Sequence, residues 1–193
     1  MWGRRVAPTA TPWPLDVRRL TPNLESAFLA LHDDANGAGW CRCVAWWAPT
    51  WEGWGDRTAA ENLALRRALW SRGEHDGFLA FADERLVGWV QVGPRDRLRK
   101  LVTQLERPPD DAAWAVSCVL VAPDLRGHGV AAALLDGALE ALQRDCVVRI
   151  EAYPRSGPTE SDDAWTGPER LYAQAGFQLV RRGEPRSVVS LEL

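Results

Sequence analysis

Apolar residues alternate with polar ones in several stretches of the chain, which is the spacing of β-strands. Residues 15–20 (LDVRRL) show this two-residue period, as a half-buried strand does. Residues 77–93 contain two apolar runs joined by a polar turn at 83–85, which predicts a β-hairpin. The nearly continuous apolar run 113–123 predicts a central strand that is covered on both faces. Shorter apolar runs predict further strands at 147–153, 177–182 and 187–193.

Helical periodicity fills the intervals between these strands. Thr21-Pro22-Asn23 is a helix-start signal, and residues 24–32 then show the helical period. Residues 56–73 predict an amphipathic helix with Asp56 as its N-cap and Gly73 just beyond its end. Further helices are expected at 125–144 and 168–175, and a charged, Pro-rich loop with one or two helical turns at 94–112.

The elements follow each other in the order β-α-α-β-β-β-α-β-α-β-β, which is typical of a mixed α/β layer fold. A chain of 193 residues can bury a substantial core, so we expect one domain over 14–193 after an N-terminal tail over 1–13. The net charge of −3 does not favour binding to nucleic acid. The sequence shows neither a secretory signal nor a membrane-spanning run, which predicts a cytoplasmic protein without a membrane partner.

The stretch 39–55 (GWCRCVAWWAPTWEGWG) concentrates tryptophan and cysteine. Cys41 and Cys43 are at most half of a zinc site, which needs four ligands, so we predict no metal. Stacking on nucleic acid would need basic residues among the aromatic ones, and only Arg42 is present. We expect both cysteines to be small buried apolar groups. His32 and His75 are expected at the surface.

The residues with the clearest chemistry lie between the strand 113–123 and the helix that follows it. In Arg126-Gly127-His128-Gly129-Val130-Ala131, glycines allow close approach of a ligand to the backbone. Free N–H groups at a helix start favour the binding of an anion, and a diphosphate is the expected ligand. A dinucleotide-binding motif would place its first glycine at the strand end, but five residues (APDLR) intervene here. A P-loop is excluded because Gly-Lys-Ser/Thr is absent.

This segment resembles the signature of the GCN5-related N-acetyltransferases (GNAT), which is Arg/Gln-x-x-Gly-x-Gly/Ala after a central strand. Tyr172, four residues before Gly176-Phe177, also resembles the closing helix of that family. Residues 150–177 are further similar to a bacterial subgroup whose acceptor is not known to us. The resemblance implies an α/β fold with a mixed, mostly antiparallel central sheet flanked by helices and splayed between strands 4 and 5. It also implies acetyl-CoA-dependent acetyl transfer, by direct transfer, to a small amine.

The resemblance assigns a cofactor role to two sets of residues. Backbone groups of the strand end are expected to bind the pantetheine arm and to polarise the thioester carbonyl, at Val119, Leu120 and Val121. The loop is expected to bind the pyrophosphate, at Arg126, Gly127, His128, Gly129, Val130 and Ala131. The family's asparagine after the fifth strand has no counterpart here, so that contact is absent or replaced by Trp165 or Thr166.

The resemblance makes Tyr172 the candidate general acid for the CoA thiolate. The central strand carries no carboxylate, so Glu151 on the neighbouring strand is the candidate base, with a structural ion pair or a water chain as alternatives. In this family the segment around the first two helices covers the acceptor. Trp46, Trp47, Trp51 and Trp54 are therefore expected to form an acceptor wall, a subcore, or both. Two alternative functions stay open: acetylation of a protein at an α-amine or lysine, and non-catalytic sensing of acyl-CoA. The sequence is compatible with either a monomer or a homodimer.

Overall fold

The computed structural model describes residues 11, 13–35, 40–157 and 165–193. Most of the expected tail 1–13 and of the expected loop at 154–164 therefore lies outside the described residues. Within them, seven strands form one sheet: β1 (Asp16–Arg19), β2 (Gly77–Ala82), β3 (Arg85–Pro94), β4 (Ala113–Val121), β5 (Arg149–Ala152), β6 (Gln178–Arg181) and β7 (Val188–Glu192).

The sheet is mixed and mostly antiparallel, which confirms the predicted fold class. Its spatial order is β1-β2-β3-β4-β5-β7-β6, and β4–β5 is a parallel pair between antiparallel ones. Five α-helices join the strands in the described part of the chain: α1 (Glu25–Ala35), α2 (Ala59–Ser71), α3 (Arg99–Gln104), α4 (Val130–Arg144) and α5 (Glu169–Gln174).

Helices cover both faces of the sheet because successive residues of each strand point to opposite sides. Phe78 and Ala80 of β2 pack in the same apolar cluster as the inner side chains of α4. Leu79 and Phe81, their neighbours in the strand, pack with Phe28 of α1. The helices α4 and α1 therefore lie on opposite faces. None of the helices in the described ranges is both long and apolar enough to cross a membrane.

Two helices begin later than the sequence predicts. The N-cap of α2 is Thr58 and not Asp56, because Thr58 and Glu61 form a reciprocal capping box. The Thr58 hydroxyl accepts the Glu61 amide at 3.2 Å, and the Glu61 carboxylate accepts the Thr58 amide at 2.7 Å. The helix expected from residue 125 begins at Val130, since a short 3₁₀ turn at Pro123–Leu125 and two left-handed glycines precede it.

The expectation that His32 and His75 lie at the surface is wrong. They are 0% and 2% exposed, and their rings pack 3.9 Å and 5.9 Å from that of Phe28. His32 donates its Nδ1 proton to the Phe28 carbonyl at 2.8 Å, and its Nε2 lies 3.0 Å from the Cys43 sulfur. Burial lowers the pKa of both imidazoles to about 3, so both are neutral core groups.

The strands β4 and β5 separate partway along their length. They pair only over 113–116 and 149–152, whereas β4 continues to Val121. Beyond the paired part, the amide of Val119 donates to the carbonyl of Trp165 at 2.7 Å. Alternate residues of a strand point their backbone groups to the same side, so the amide of Val121 faces the same gap. The splay predicted between strands 4 and 5 is therefore present.

Candidate active-site cavity

The glycines of the motif 126–131 bend the chain between β4 and α4. Gly127 and Gly129 have φ angles of 81° and 82°, in the left-handed region that glycine adopts without steric cost. Gly129 is the N-cap of α4, and no described side chain caps the helix there. The first-turn amides therefore lack intrahelical acceptors, which is the arrangement that binds phosphate groups at helix starts.

This helix end opens into a cavity of about 1570 Å³ that continues along the end of β4 to the Trp-rich segment. His128 does not line it, since its Nδ1 lies 3.0 Å from the Arg126 carbonyl and its ring 6.3 Å from that of Trp13. The other eight predicted cofactor residues line the cavity together: Val119, Leu120, Val121, Arg126, Gly127, Gly129, Val130 and Ala131.

The other end of the cavity is a continuous row of five indoles, which we call the indole belt. The belt consists of Trp40, Trp54, Trp51, Trp46 and Trp165, all of which line the cavity. In that order, neighbouring ring centres lie 4.9, 6.3, 5.4 and 5.4 Å apart. These are the separations of favourable aromatic contacts. The belt forms one apolar surface beside the splay.

The indole belt only partly matches the predicted acceptor wall. Trp46 is 1% exposed and donates to the Ser117 carbonyl, whereas Trp51 is 41% exposed. The segment is thus both subcore and cavity wall. Trp47 does not line the cavity, and its ring lies 5.9 Å from that of His75. Trp40 lines the cavity as well and belongs to the same Trp-rich stretch, but it is not among the residues predicted for the wall.

Thiols and an amide also line the cavity. The sulfur atoms of Cys43 and Cys118 are 3.2 Å apart, and both residues line the cavity. Gln91 donates to the Cys43 carbonyl at 2.9 Å and accepts the Ser117 hydroxyl at 2.9 Å. Burial raises the pKa of the Cys43 thiol, so it stays protonated and apolar. Among the described residues, no group of three or more His, Cys, Asp or Glu side chains could hold a metal ion.

Glu151, the candidate base, lies outside the cavity in a buried ion-pair network. Its carboxylate accepts Arg107 at 2.6 Å, Arg95 at 3.2 Å and the Tyr153 hydroxyl at 2.8 Å. Burial raises its pKa, but the hydrogen bonds of Arg107 and Tyr153 and the charges of both arginines outweigh burial, so its pKa is lowered overall. A carboxylate held ionised in this way is a weak proton acceptor, and its base role stays a prediction.

Tyr172, the candidate acid, also lies outside the cavity lining. It is 0% exposed, and its hydroxyl donates to the carbonyl of Thr166 at 2.5 Å. A Cβ at Gly167 would lie 2.7 Å from that hydroxyl, so only glycine allows this approach. Burial raises the pKa of Tyr172. In this arrangement Tyr172 holds the segment that carries Trp165 against the splay, and its acid role stays a prediction.

We expect Tyr172→Phe to lower the free energy of unfolding by about 1–3 kcal/mol, because the buried Thr166 carbonyl loses its donor. Urea denaturation followed by tryptophan fluorescence measures this change. A variant with unchanged stability and reduced turnover would contradict the positioning role and favour the acid role.

The family comparison agrees with this geometry. A family model described as the acetyltransferase (GNAT) family matches residues 40–177. The match contains β4, the loop 126–131 and all five residues of the indole belt. No curated protein is significantly similar in sequence.

Solved structures share the fold at low sequence identity. PaiA N-acetyltransferase from Thermoplasma acidophilum, in complex with coenzyme A, is 13% identical with a TM-score of 0.57, covering 93% of this chain and 99% of its own. An acetyltransferase from Thermus thermophilus is 17% identical with a TM-score of 0.58, covering 95% and 100%. YncA from Salmonella typhimurium, with its cofactor acetyl-CoA, is 18% identical with a TM-score of 0.54, covering 93% and 92%.

Proposed function

Because this chain belongs to the acetyltransferase (GNAT) family, we propose that it transfers the acetyl group of acetyl-CoA directly to a small-molecule amine. It is an acyltransferase, and enzymes of this family use acetyl-CoA as cosubstrate. One observation carries the finer proposal. A single cavity joins the start of α4, a splayed strand end and an apolar wall of indoles.

The loop 126–131 is proposed to bind the pyrophosphate of CoA. The left-handed glycines bring the backbone amides to the cavity surface without side chains in between. Arg126 lines the same end and adds a positive charge, with its Nε 3.4 Å from the Val121 carbonyl. Backbone N–H donors and one positive charge are groups that suit a diphosphate.

The splay is proposed to bind the pantetheine arm and the acetyl group. Val121 directs its backbone amide to the gap, and the Val119 amide there is bonded to Trp165. In the transfer the amine nitrogen forms a bond to the acetyl carbon, the carbon–sulfur bond breaks, and a proton passes from the amine to the CoA thiolate. A backbone N–H at the strand end stabilises the charge that develops on the carbonyl oxygen.

The chain would thus act by positioning rather than by a covalent intermediate. The neutral thiol of Cys43 and the neutral imidazole of His32 make a poor nucleophile and base. A cytoplasmic location, a bacterial subgroup and a monomeric or homodimeric state belong to this proposal as well.

A free-thiol release assay tests the proposal. We expect CoA thiol to appear from acetyl-CoA only when a panel of small primary amines is added, with the acetylated amine detected by mass spectrometry. Tight acetyl-CoA binding without release from any amine would contradict the proposal and favour a sensor. Release only with peptides that carry a free α-amine or lysine would favour a protein acetyltransferase.

A further inference from the structure

One cation of this chain contacts two rings of the indole belt. The Lys100 ammonium nitrogen lies 3.5 Å from the ring centre of Trp51 and 5.4 Å from that of Trp54. Lys100 does not line the cavity, whereas both rings do. Its charge therefore contacts the belt without being part of the cavity lining.

Two arginines extend this arrangement along the belt. The Arg186 guanidinium carbon lies 4.8 Å from the ring centre of Trp165 and 5.8 Å from that of Trp46. The Arg57 guanidinium carbon lies 6.0 Å from that of Trp54. Neither arginine lines the cavity. Four of the five indoles therefore have a cation of this chain against the ring.

Lys100 keeps its charge at neutral pH. Burial and the charge of Arg57 lower the pKa of Lys100 to about 8, so the ammonium form still predominates at pH 7. Its ammonium donates to the Thr50 carbonyl at 3.3 Å. No described carboxylate lies within ion-pair distance of it.

These cations change what the belt can bind. The negative face of an indole attracts one cation by a modest electrostatic interaction. A second cation at the same rings would be repelled by the first one, in a site with a lower dielectric than water. A neutral planar ring meets no such repulsion and gains apolar and aromatic contact with the belt. The belt therefore discriminates against an ammonium and favours an uncharged aromatic group.

We infer that the acceptor is an aromatic amine whose nitrogen is attached directly to the ring and is neutral at pH 7. The inference rests on the proposed function and specifies its substrate class. The neutral nitrogen attacks the acetyl carbon, the carbon–sulfur bond breaks, and the proton released by the nitrogen ends on the CoA thiolate. The products are an N-acetyl arylamine and free CoA.

The proton chemistry supports the same class. An alkylamine resembles the lysine side chain, with a pKa of about 10.4, so fewer than about one molecule in a thousand is neutral at pH 7. Such an acceptor needs a base before it can attack. Among the described lining residues only Asp34 and Glu169 carry carboxylates, and Glu169 already accepts Ser187 and lies 3.5 Å from Arg182. An arylamine arrives deprotonated and needs no base for that step.

Two isomeric amines test the inference. In 4-methylaniline the nitrogen is bonded directly to the ring, whereas in benzylamine a CH₂ group separates the nitrogen from the ring. The two compounds have the same elemental composition, but at pH 7 the first is neutral and the second is an ammonium. We expect kcat/KM for thiol release at pH 7 to be at least about tenfold higher for 4-methylaniline, which corresponds to about 1.4 kcal/mol. Equal or better turnover of benzylamine would overturn the inference and leave the proposed function intact. Release from no amine at all would overturn both.

Lys100→Met tests the electrostatic cause, because it removes the charge and keeps an apolar side chain. Arg99→Met is the matched control, since Arg99 is exposed on the same helix and stacks on no indole of the belt. We expect Lys100→Met to lower the 4-methylaniline to benzylamine ratio of kcat/KM about fivefold, from loss of one like-charge repulsion, and Arg99→Met to leave it unchanged. An equal change in both variants would overturn the role of Lys100. If Lys100→Met does not fold, the ratio of kcat/KM for 4-methylaniline to that for benzylamine in the wild-type protein still tests the inference.

Discussion

Gly129→Glu is expected to weaken acetyl-CoA binding at least about a hundredfold, which is about 2.7 kcal/mol. The added charge is the cause. A carboxylate at the N-cap of α4 would repel the phosphates that the loop is proposed to bind, by about 3–4 kcal/mol at 4–5 Å and an effective dielectric constant of 20. Gly129 also has a φ of 82°, where a side chain costs about 1–2 kcal/mol, but this strain lowers the stability of the fold and not the affinity for the cofactor. Isothermal titration calorimetry with acetyl-CoA measures the affinity.

Gly73→Glu is the matched control for that variant. Gly73 also has a left-handed φ, of 65°, and a Cβ there would meet no atom within 4 Å. It follows the C-terminus of α2 and does not line the cavity. The control therefore carries the same backbone strain and the same added charge, and its affinity for acetyl-CoA should not change. Normal affinity in Gly129→Glu would disprove the assignment of the loop.

Glu151→Gln is expected to lower the free energy of unfolding by about 3–5 kcal/mol, because Arg107 loses the carboxylate that pairs with it and the buried Arg95 is left with its ion pair to Asp96. Arg95 is 0% exposed and contacts Glu151 at 3.2 Å, and Arg107 contacts it at 2.6 Å. Urea denaturation measures the loss. Glu106→Gln is the control, since Glu106 is 83% exposed and pairs with Arg181 at 3.4 Å, and we expect it to change stability by less than about 0.5 kcal/mol.

The same variant has a defined effect on the pH dependence of stability. The folded protein lowers the pKa of Glu151, so its stabilisation is present above the unfolded value of about 4.3 and is lost as the pH falls through the folded value. Glu151→Gln should lose this part of the acid sensitivity. A variant that keeps wild-type stability but loses turnover would contradict the structural role and restore Glu151 as the candidate base.

The parts of the fold that depend on local pattern could be predicted from the sequence. Neighbouring residues specify the hairpin 77–93, the central strand and the loop 126–131. The alternation of apolar and polar residues and the positions of glycines determine the backbone conformation within a few residues. The prediction of the first residue of α2 was less accurate, because the segment contains two residues that can act as an N-cap, Asp56 and Thr58. The reciprocal bonds between Thr58 and Glu61 decide in favour of the second.

The parts that depend on tertiary contacts could not be predicted. His32 and His75 have polar side chains, yet Trp89 packs against both from a distant strand, and Phe28 of α1 packs against His75. Trp165 meets Trp46 only because the splay brings the two segments together. No sequence spacing indicates that Lys100 stacks on Trp51.

The position of Lys100 also bears on chemical self-modification. The sequence contains 22 arginines and this one lysine. Acetyl-CoA is a reactive thioester that can acylate accessible lysine amines without catalysis, whereas guanidinium groups stay protonated and unreactive. The single lysine is 8% exposed and covered by an indole. The protein therefore presents no exposed lysine side chain to its own acyl donor.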